Sequence, residues 1–145
     1  MITKILLVDD DADDRFIFEE ALKTLDLEIR FDYSSNGLKA LEFINDPNQI
    51  NPETIFMDLN MPIMSGKDCL LHLRANENIE DINIVIYSTS FDSKTIDFLF
   101  ENGANYYIRK PGDFKALKEI IQKTIKLTTN NNQKSRTRDQ FVINS

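Results

Sequence analysis

At 145 residues, with 41% apolar and 28% charged side chains and only four glycines and four prolines, the chain has the size and composition of one globular domain. A domain of this size buries roughly 68–70% of the surface it exposes unfolded. A formal net charge of −7 excludes a general nucleic-acid binder, which needs basic surface to displace counterions. No apolar run approaches the ~20 residues of a membrane span or forms a secretory h-region. One cysteine, Cys69, excludes a disulfide framework, and the expected location is cytoplasmic.

Residues 5–8 are an unbroken apolar run, the pattern of a strand covered on both faces. Ile17, Phe18, Ala21, Leu22 and Leu25 then recur at helical spacing. Leu27, Ile29, Phe31 and Tyr33 alternate with Glu28, Arg30 and Asp32, which predicts a half-covered edge strand. A second helix carries Leu38, Leu41 and Ile44, and residues 55–57 are the next apolar run. Leu70 and Leu73 mark a third helix after Gly66, and residues 84–87 a further strand. Ile96, Leu99 and Phe100 form the fourth helical stripe, residues 106–108 the fifth strand, and Phe114, Leu117, Ile121 and Ile125 the fifth helix. Five repeats of strand then helix predict an α/β fold with a doubly wound five-stranded parallel sheet. Right-handed crossovers and three doubly covered strands give the order 2-1-3-4-5 of flavodoxin-like sheets. The domain is expected to span residues 1–127. Residues 128–145 are polar, apart from a small apolar patch at 141–143, and are expected to form a solvated tail with no separate output domain.

In such a sheet the working crevice lies beyond the carboxyl ends of strands one and three. Asp9 and Asp10 follow the first strand and Asp58 the third. These strands are neighbours about 4.8 Å apart, so three acids converge, and their repulsion calls for a cation. An oxygen-only set favours a hard ion such as Mg²⁺. Asp11, Asp13 and Asp14 are read as complementing the dipole of the first helix. Ser88 ends the fourth strand and Lys110 follows the fifth. A hydroxyl and a cation facing carboxylates and a metal describe a site for a tetrahedral anion, where a carboxylate can itself accept a phosphoryl group.

The residues at 5–10 (Ile-Leu-Leu-Val-Asp-Asp), 58–66 (Asp-Leu-Asn-Met-Pro-Ile-Met-Ser-Gly), 88–89 (Ser-Thr) and 107–111 (Tyr-Ile-Arg-Lys-Pro) are spread over four strand ends. On them the chain resembles a response regulator receiver domain, the chemotaxis-regulator-like phosphoacceptor of two-component signalling, over about residues 3–127. The resemblance implies that Asp58 is the phosphorylated nucleophile. It implies that Asp10, Asp58 and the backbone carbonyl of Asn60 ligate Mg²⁺ (or Mn²⁺), while Asp9 holds the water shell of the metal. Lys110 would pair with phosphoryl oxygens. Ser88 matches the switch hydroxyl, with Ser where Thr is commoner, and Tyr107 the aromatic that follows it inward. Asn60 and Ser90 resemble positions that tune phosphoryl lifetime, and the bond between Lys110 and Pro111 resembles a cis peptide of the family.

The partners implied are a histidine kinase or histidine phosphotransfer protein as donor and a downstream protein target. A second copy of the chain is a further candidate; nucleic acid and membrane are not expected. The resemblance places the output face on helix four, strand five and helix five, near Phe98. The chemistry expected is confined to the chain's own phosphorylation and dephosphorylation rather than enzymatic turnover.

Other readings weigh less. Asp9-x-Asp11 matches the D-x-D start of a metal-dependent phosphohydrolase, but Asp13 stands where Thr or Val is expected. Asp9, Asp11, Asp13 and Glu20 match a calcium-loop spacing, but Asp14 replaces the required Gly and a strand precedes it. A flavin carrier would want Ser, Thr or Gly after strand one rather than acids. His72 reads as a surface helical side chain, Cys69 as a small packing residue, and Met57, Met61 and Met64 as packing around the site.

Overall fold

The computed structural model describes residues 2–130 and 137–144, the side chain of Asn130 excepted. Five strand–helix repeats run in chain order: β1 (Thr3–Val8), α1 (Ala12–Lys23), β2 (Ile29–Ser34), α2 (Gly37–Asn45), β3 (Thr54–Met57), α3 (Gly66–Arg74), β4 (Asn83–Ser88), α4 (Ser93–Glu101), β5 (Tyr106–Arg109) and α5 (Phe114–Asn130). A short helix α6 (Arg138–Phe141) and a two-residue strand β6 (Val142–Ile143) follow. All strands are parallel, in the order β2-β1-β3-β4-β5-β6.

Successive strand residues face opposite sides of a sheet, and the core divides accordingly. Leu6, Val8, Ile55, Met57, Ile84, Ile86 and Tyr107 pack with α2, α3 and α4. Ile5, Leu7, Phe56, Val85, Tyr87 and Ile108 pack with α1 and α5. That double coverage is why β1, β3 and β4 are unbroken apolar runs, whereas β2, at the edge, alternates. Side-chain oxygens of Asp11, Asn36, Ser65 and Asp92 accept backbone N–H bonds at the starts of α1 to α4, satisfying donors that a helix leaves unpaired there. Gly103, with φ +96°, closes α4, a left-handed turn that glycine takes without strain.

The structure corrects four expectations. The sheet has six strands, because residues 142–143 pair with β5. The terminal segment is therefore not wholly solvated: Phe141 is fully buried and Ile143 nearly so, since three apolar residues can cover the otherwise open edge of β5. The helical stripe also runs past residue 127, so α5 ends at Asn130. The bond between Lys110 and Pro111 is trans, as are all described peptide bonds; trans is the lower-energy isomer of an X-Pro bond by about 0.5–1 kcal/mol.

Candidate functional site

The ladder of the sheet continues one residue past each strand and so places the acids. Asp9 N–H donates to the Ser34 carbonyl (3.1 Å), Asp58 N–H to the Val8 carbonyl (2.9 Å) and Lys110 N–H to the Ser88 carbonyl (2.8 Å). Asp9, Asp58 and Ser88 are buried, while Asp10 and Asn60 are exposed. One carboxylate oxygen from each of Asp9, Asp10 and Asp58 lies within 4.8 Å of the others. Three convergent carboxylates, two buried and one open to solvent, fit a hard divalent cation that keeps part of its water shell.

Lys110 closes the other side. Its Nζ donates to Asp9 Oδ2 (3.0 Å), Asp14 Oδ2 (3.0 Å) and Asp58 Oδ2 (3.3 Å) and lies 5.0 Å from the centre of the Tyr87 ring. Burial pulls the ammonium down, but the hydrogen bond to Asp14 and the charges of Asp58 and Asp9 outweigh it and hold its pKa above 10.5. Burial also pushes the Asp9 carboxyl above 3.8, against the Asp11 amide and Lys110, which pull it down. Crowded negative charge in a dry place is what a dication would relieve.

The loop after β3 is shaped around Asp58. Asp58 Oδ1 accepts the Leu59 N–H at 2.7 Å, leaving Oδ2 toward Lys110. Gly66 N–H bonds the Leu59 carbonyl at 2.8 Å. A Cβ at Gly66 would sit 2.3 Å from the Asp58 carbonyl oxygen and 2.9 Å from Leu59 Cα, so close backbone approach demands glycine here.

A hydrogen-bonded chain leads away from the crevice. Ser90 N–H donates to Ser88 Oγ (3.2 Å), and Asn60 Nδ2 donates to Ser90 Oγ (3.2 Å). The Tyr107 hydroxyl donates to the Ser90 carbonyl. Tyr107 is 1% exposed; burial raises its phenol above 10.0 while Ser88 lowers it. The arrangement thus brings together Asp9, Asp10, Asp58, Lys110 and, through this chain, Ser88, Ser90, Asn60 and Tyr107.

Other residues fall differently from the sequence reading. Asp11 caps α1, accepting from the amides of Asp13 (2.8 Å) and Asp14 (3.1 Å), so its carboxylate serves the helix rather than a D-x-D metal site. Asp14, expected only to complement the helix dipole, also holds Lys110. Arg15, not singled out, donates from Nη1 to the Asp9 carbonyl (2.8 Å); its position one turn into α1 was the available signal. Phe98 is half-buried, with Lys67 Nζ 4.6 Å from its ring centre. Phe91 is an exposed aromatic near β5, its ring centre 6.3 Å from that of Tyr107. His72 is exposed and Cys69 buried, as expected.

A doubly wound parallel sheet with three carboxylates and a lysine at its carboxyl edge is the architecture of a signalling receiver domain. The chain matches the response regulator receiver domain over residues 5–122 and belongs to that family. It is similar to the response regulator Rcp1 of Synechocystis sp., with 29% identity over 122 residues, 81% of this chain and 83% of that one. Among solved structures, the Mn²⁺-bound form of response regulator Rcp1 superposes with a TM-score of 0.80 at 26% identity, covering 90% of this chain and 96% of that one. The phosphorylated cyanobacterial phytochrome response regulator RcpA shares the fold, with a TM-score of 0.83 at 24% identity over 90% of this chain and 96% of that one. Among the described residues no helix is long and apolar enough to cross a membrane.

Proposed function

We propose that the chain is a response regulator that takes a phosphoryl group onto Asp58 from a phosphohistidine donor, in a step dependent on Mg²⁺, and that a partner protein reads the result. The observation that carries this reading is the contact of one ammonium, Lys110 Nζ, with both Asp9 (3.0 Å) and Asp58 (3.3 Å) beside the exposed Asp10. Asp58 Oδ2 attacks phosphorus in line, its bond to phosphorus forms as the bond to the donor imidazole nitrogen breaks, and the imidazole leaves with that electron pair. Lys110 then exchanges its bond to Asp58 for one to a phosphoryl oxygen, and the Ser88 hydroxyl donates to another. Asp10, Asp58 and the Asn60 carbonyl would hold the metal, with Asp9 behind its water shell; when bound, the metal neutralises charge on the transferring oxygens.

The donor is a histidine kinase or histidine phosphotransfer protein. The output face is α4, β5 and α5, but residues 137–144 occupy the outer edge of β5, so a partner meets α4, this segment and α5 together. Asn60 and Ser90, both uncharged and hydrogen-bonded to each other, would set phosphoryl lifetime without steering water by charge.

Incubation with acetyl phosphate and Mg²⁺ tests the reading: wild type should gain one acid-labile phosphate, and Asp58→Asn none. Asp10→Ala should lose metal affinity and labelling together. Labelling of Asp58→Asn at the wild-type rate would overturn the assignment.

A further inference from the structure

The segment of residues 137–144 is fastened across β5 at both ends. Arg138 Nε bonds Asp97 Oδ1 of α4 at 2.9 Å, and Lys123 Nζ of α5 bonds the Asn144 carbonyl at 2.9 Å. Between these ties Val142 lies opposite Tyr107 in the ladder. Phe141, fully buried, meets the Phe100 ring edge-on at 5.3 Å and belongs to the same buried cluster as Tyr107. Without this segment β5 would be the edge strand of the sheet, and the Tyr107 ring would have an open way past it to solvent.

The inward ring has a consequence at the crevice. Its hydroxyl donates to the Ser90 carbonyl, and the Ser90 N–H donates to Ser88 Oγ. A hydroxyl has one donor and two acceptor sites. With an acceptor site taken by Ser90, the O–H of Ser88 can turn to an oxygen carried on Asp58.

We propose that Phe141 is a positioning residue for phosphoryl acceptance: with Val142 it closes the β5 edge, keeps Tyr107 inward, and thereby holds Ser88 in the orientation that receives a phosphoryl oxygen. The inference rests on the assignment of Asp58 as phosphoacceptor. Coupling between two sites is reciprocal, so filling the site at Asp58 also tightens residues 141–143 on β5.

The test uses the full chain with Mg²⁺ and beryllofluoride, a phosphoryl mimic, with affinity read from amide chemical shifts. Phe141→Ala should weaken beryllofluoride binding by about fivefold or more, with hydrogen-exchange protection of β1 and β3 retained. Phe141→Leu, which keeps most of the volume, should fall between the two and carries the test where the alanine variant does not fold. In a Tyr107→Phe background, which lacks the hydroxyl, the effect of Phe141→Ala should vanish. Beryllofluoride should also slow amide exchange at residues 142 and 143 in the wild type. A purely structural Phe141 would lower the melting temperature and leave the affinity unchanged; that result, tighter binding, or an undiminished effect in Tyr107→Phe overturns the inference alone. Failure of the wild type to bind beryllofluoride sinks the phosphoacceptor reading and this inference with it.

Discussion

Asp9 and Lys110, 101 residues apart in the chain, meet with Nζ 3.0 Å from Oδ2, and the acid side of the pair is wholly shielded from water. The same ammonium serves Asp58 and Asp14, so one cation offsets three carboxylates at the mouth of the sheet. Breaking a buried ion pair by removing one partner is strongly destabilising, because the other charge stays behind without compensation.

Lys110→Ala should therefore lower stability by about 3 kcal/mol, read as a shift in the urea midpoint at unchanged slope. A dication can take over part of the neutralisation. Mg²⁺ should accordingly raise the melting temperature of Lys110→Ala by more than it raises that of the wild type. A variant as stable as wild type in the absence of metal, or one indifferent to Mg²⁺, would show that the acids are not competing for a common cation.

The loop that follows Asp58 holds a conformation no composition rule announces. Ile63 adopts φ +72° while being 77% exposed. A β-branched residue is a genuine outlier there, because its Cβ crowds the backbone, and the left-handed region costs an L-residue roughly 1–2 kcal/mol. Asparagine tolerates that region, and Ile63 contributes little burial to lose. Ile63→Asn should raise stability by about 1 kcal/mol and leave phosphorylation of Asp58 intact. A melting temperature equal to or below that of wild type would show that Ile63 makes contacts worth more than the relief of its backbone.

The contrast between β1 and β6 shows what could be read in advance. Residues 5–8 admit one reading because a doubly covered strand needs an unbroken apolar run, and the acids that follow it are placed by strand pairing alone. β6 is two residues long after a single helical turn, too short for either period to register, and its burial depends on an edge supplied by β5. Asp14 was misplaced for a related reason. Its chemistry as a helix-start acid is correct, but its role comes from Lys110 arriving from another strand, which local sequence does not encode. Phe98, not among the residues of the fourth helical stripe, is nonetheless half-buried against the cluster beside α4, with Lys67 over its ring. The site residues at strand ends were legible because topology alone brings them together.

Cys69 gives the fold a signature in alkali. It lies buried on α3, its thiol donates to the Gly37 carbonyl at 3.6 Å, and burial raises its pKa from 9.0 to about 12. In the unfolded chain the thiol ionises first as pH rises, so the folded state retains a proton that the unfolded state has lost. Stability is then fully present below pH 9 and declines as pH climbs toward the folded value. Between pH 9 and pH 10 the loss should be about 1 kcal/mol. The buried phenols of Tyr87 and Tyr107, both raised by burial, add their own loss from about pH 10, and Cys69→Ala isolates the thiol. The difference between the two proteins' stability–pH curves should shrink by about that amount over this interval. A native thiol this buried should also resist a small alkylating reagent at pH 8 and react only at the rate at which α3 opens. Rapid alkylation of the folded protein, or parallel curves for wild type and Cys69→Ala, would contradict the packing of α3 against α2.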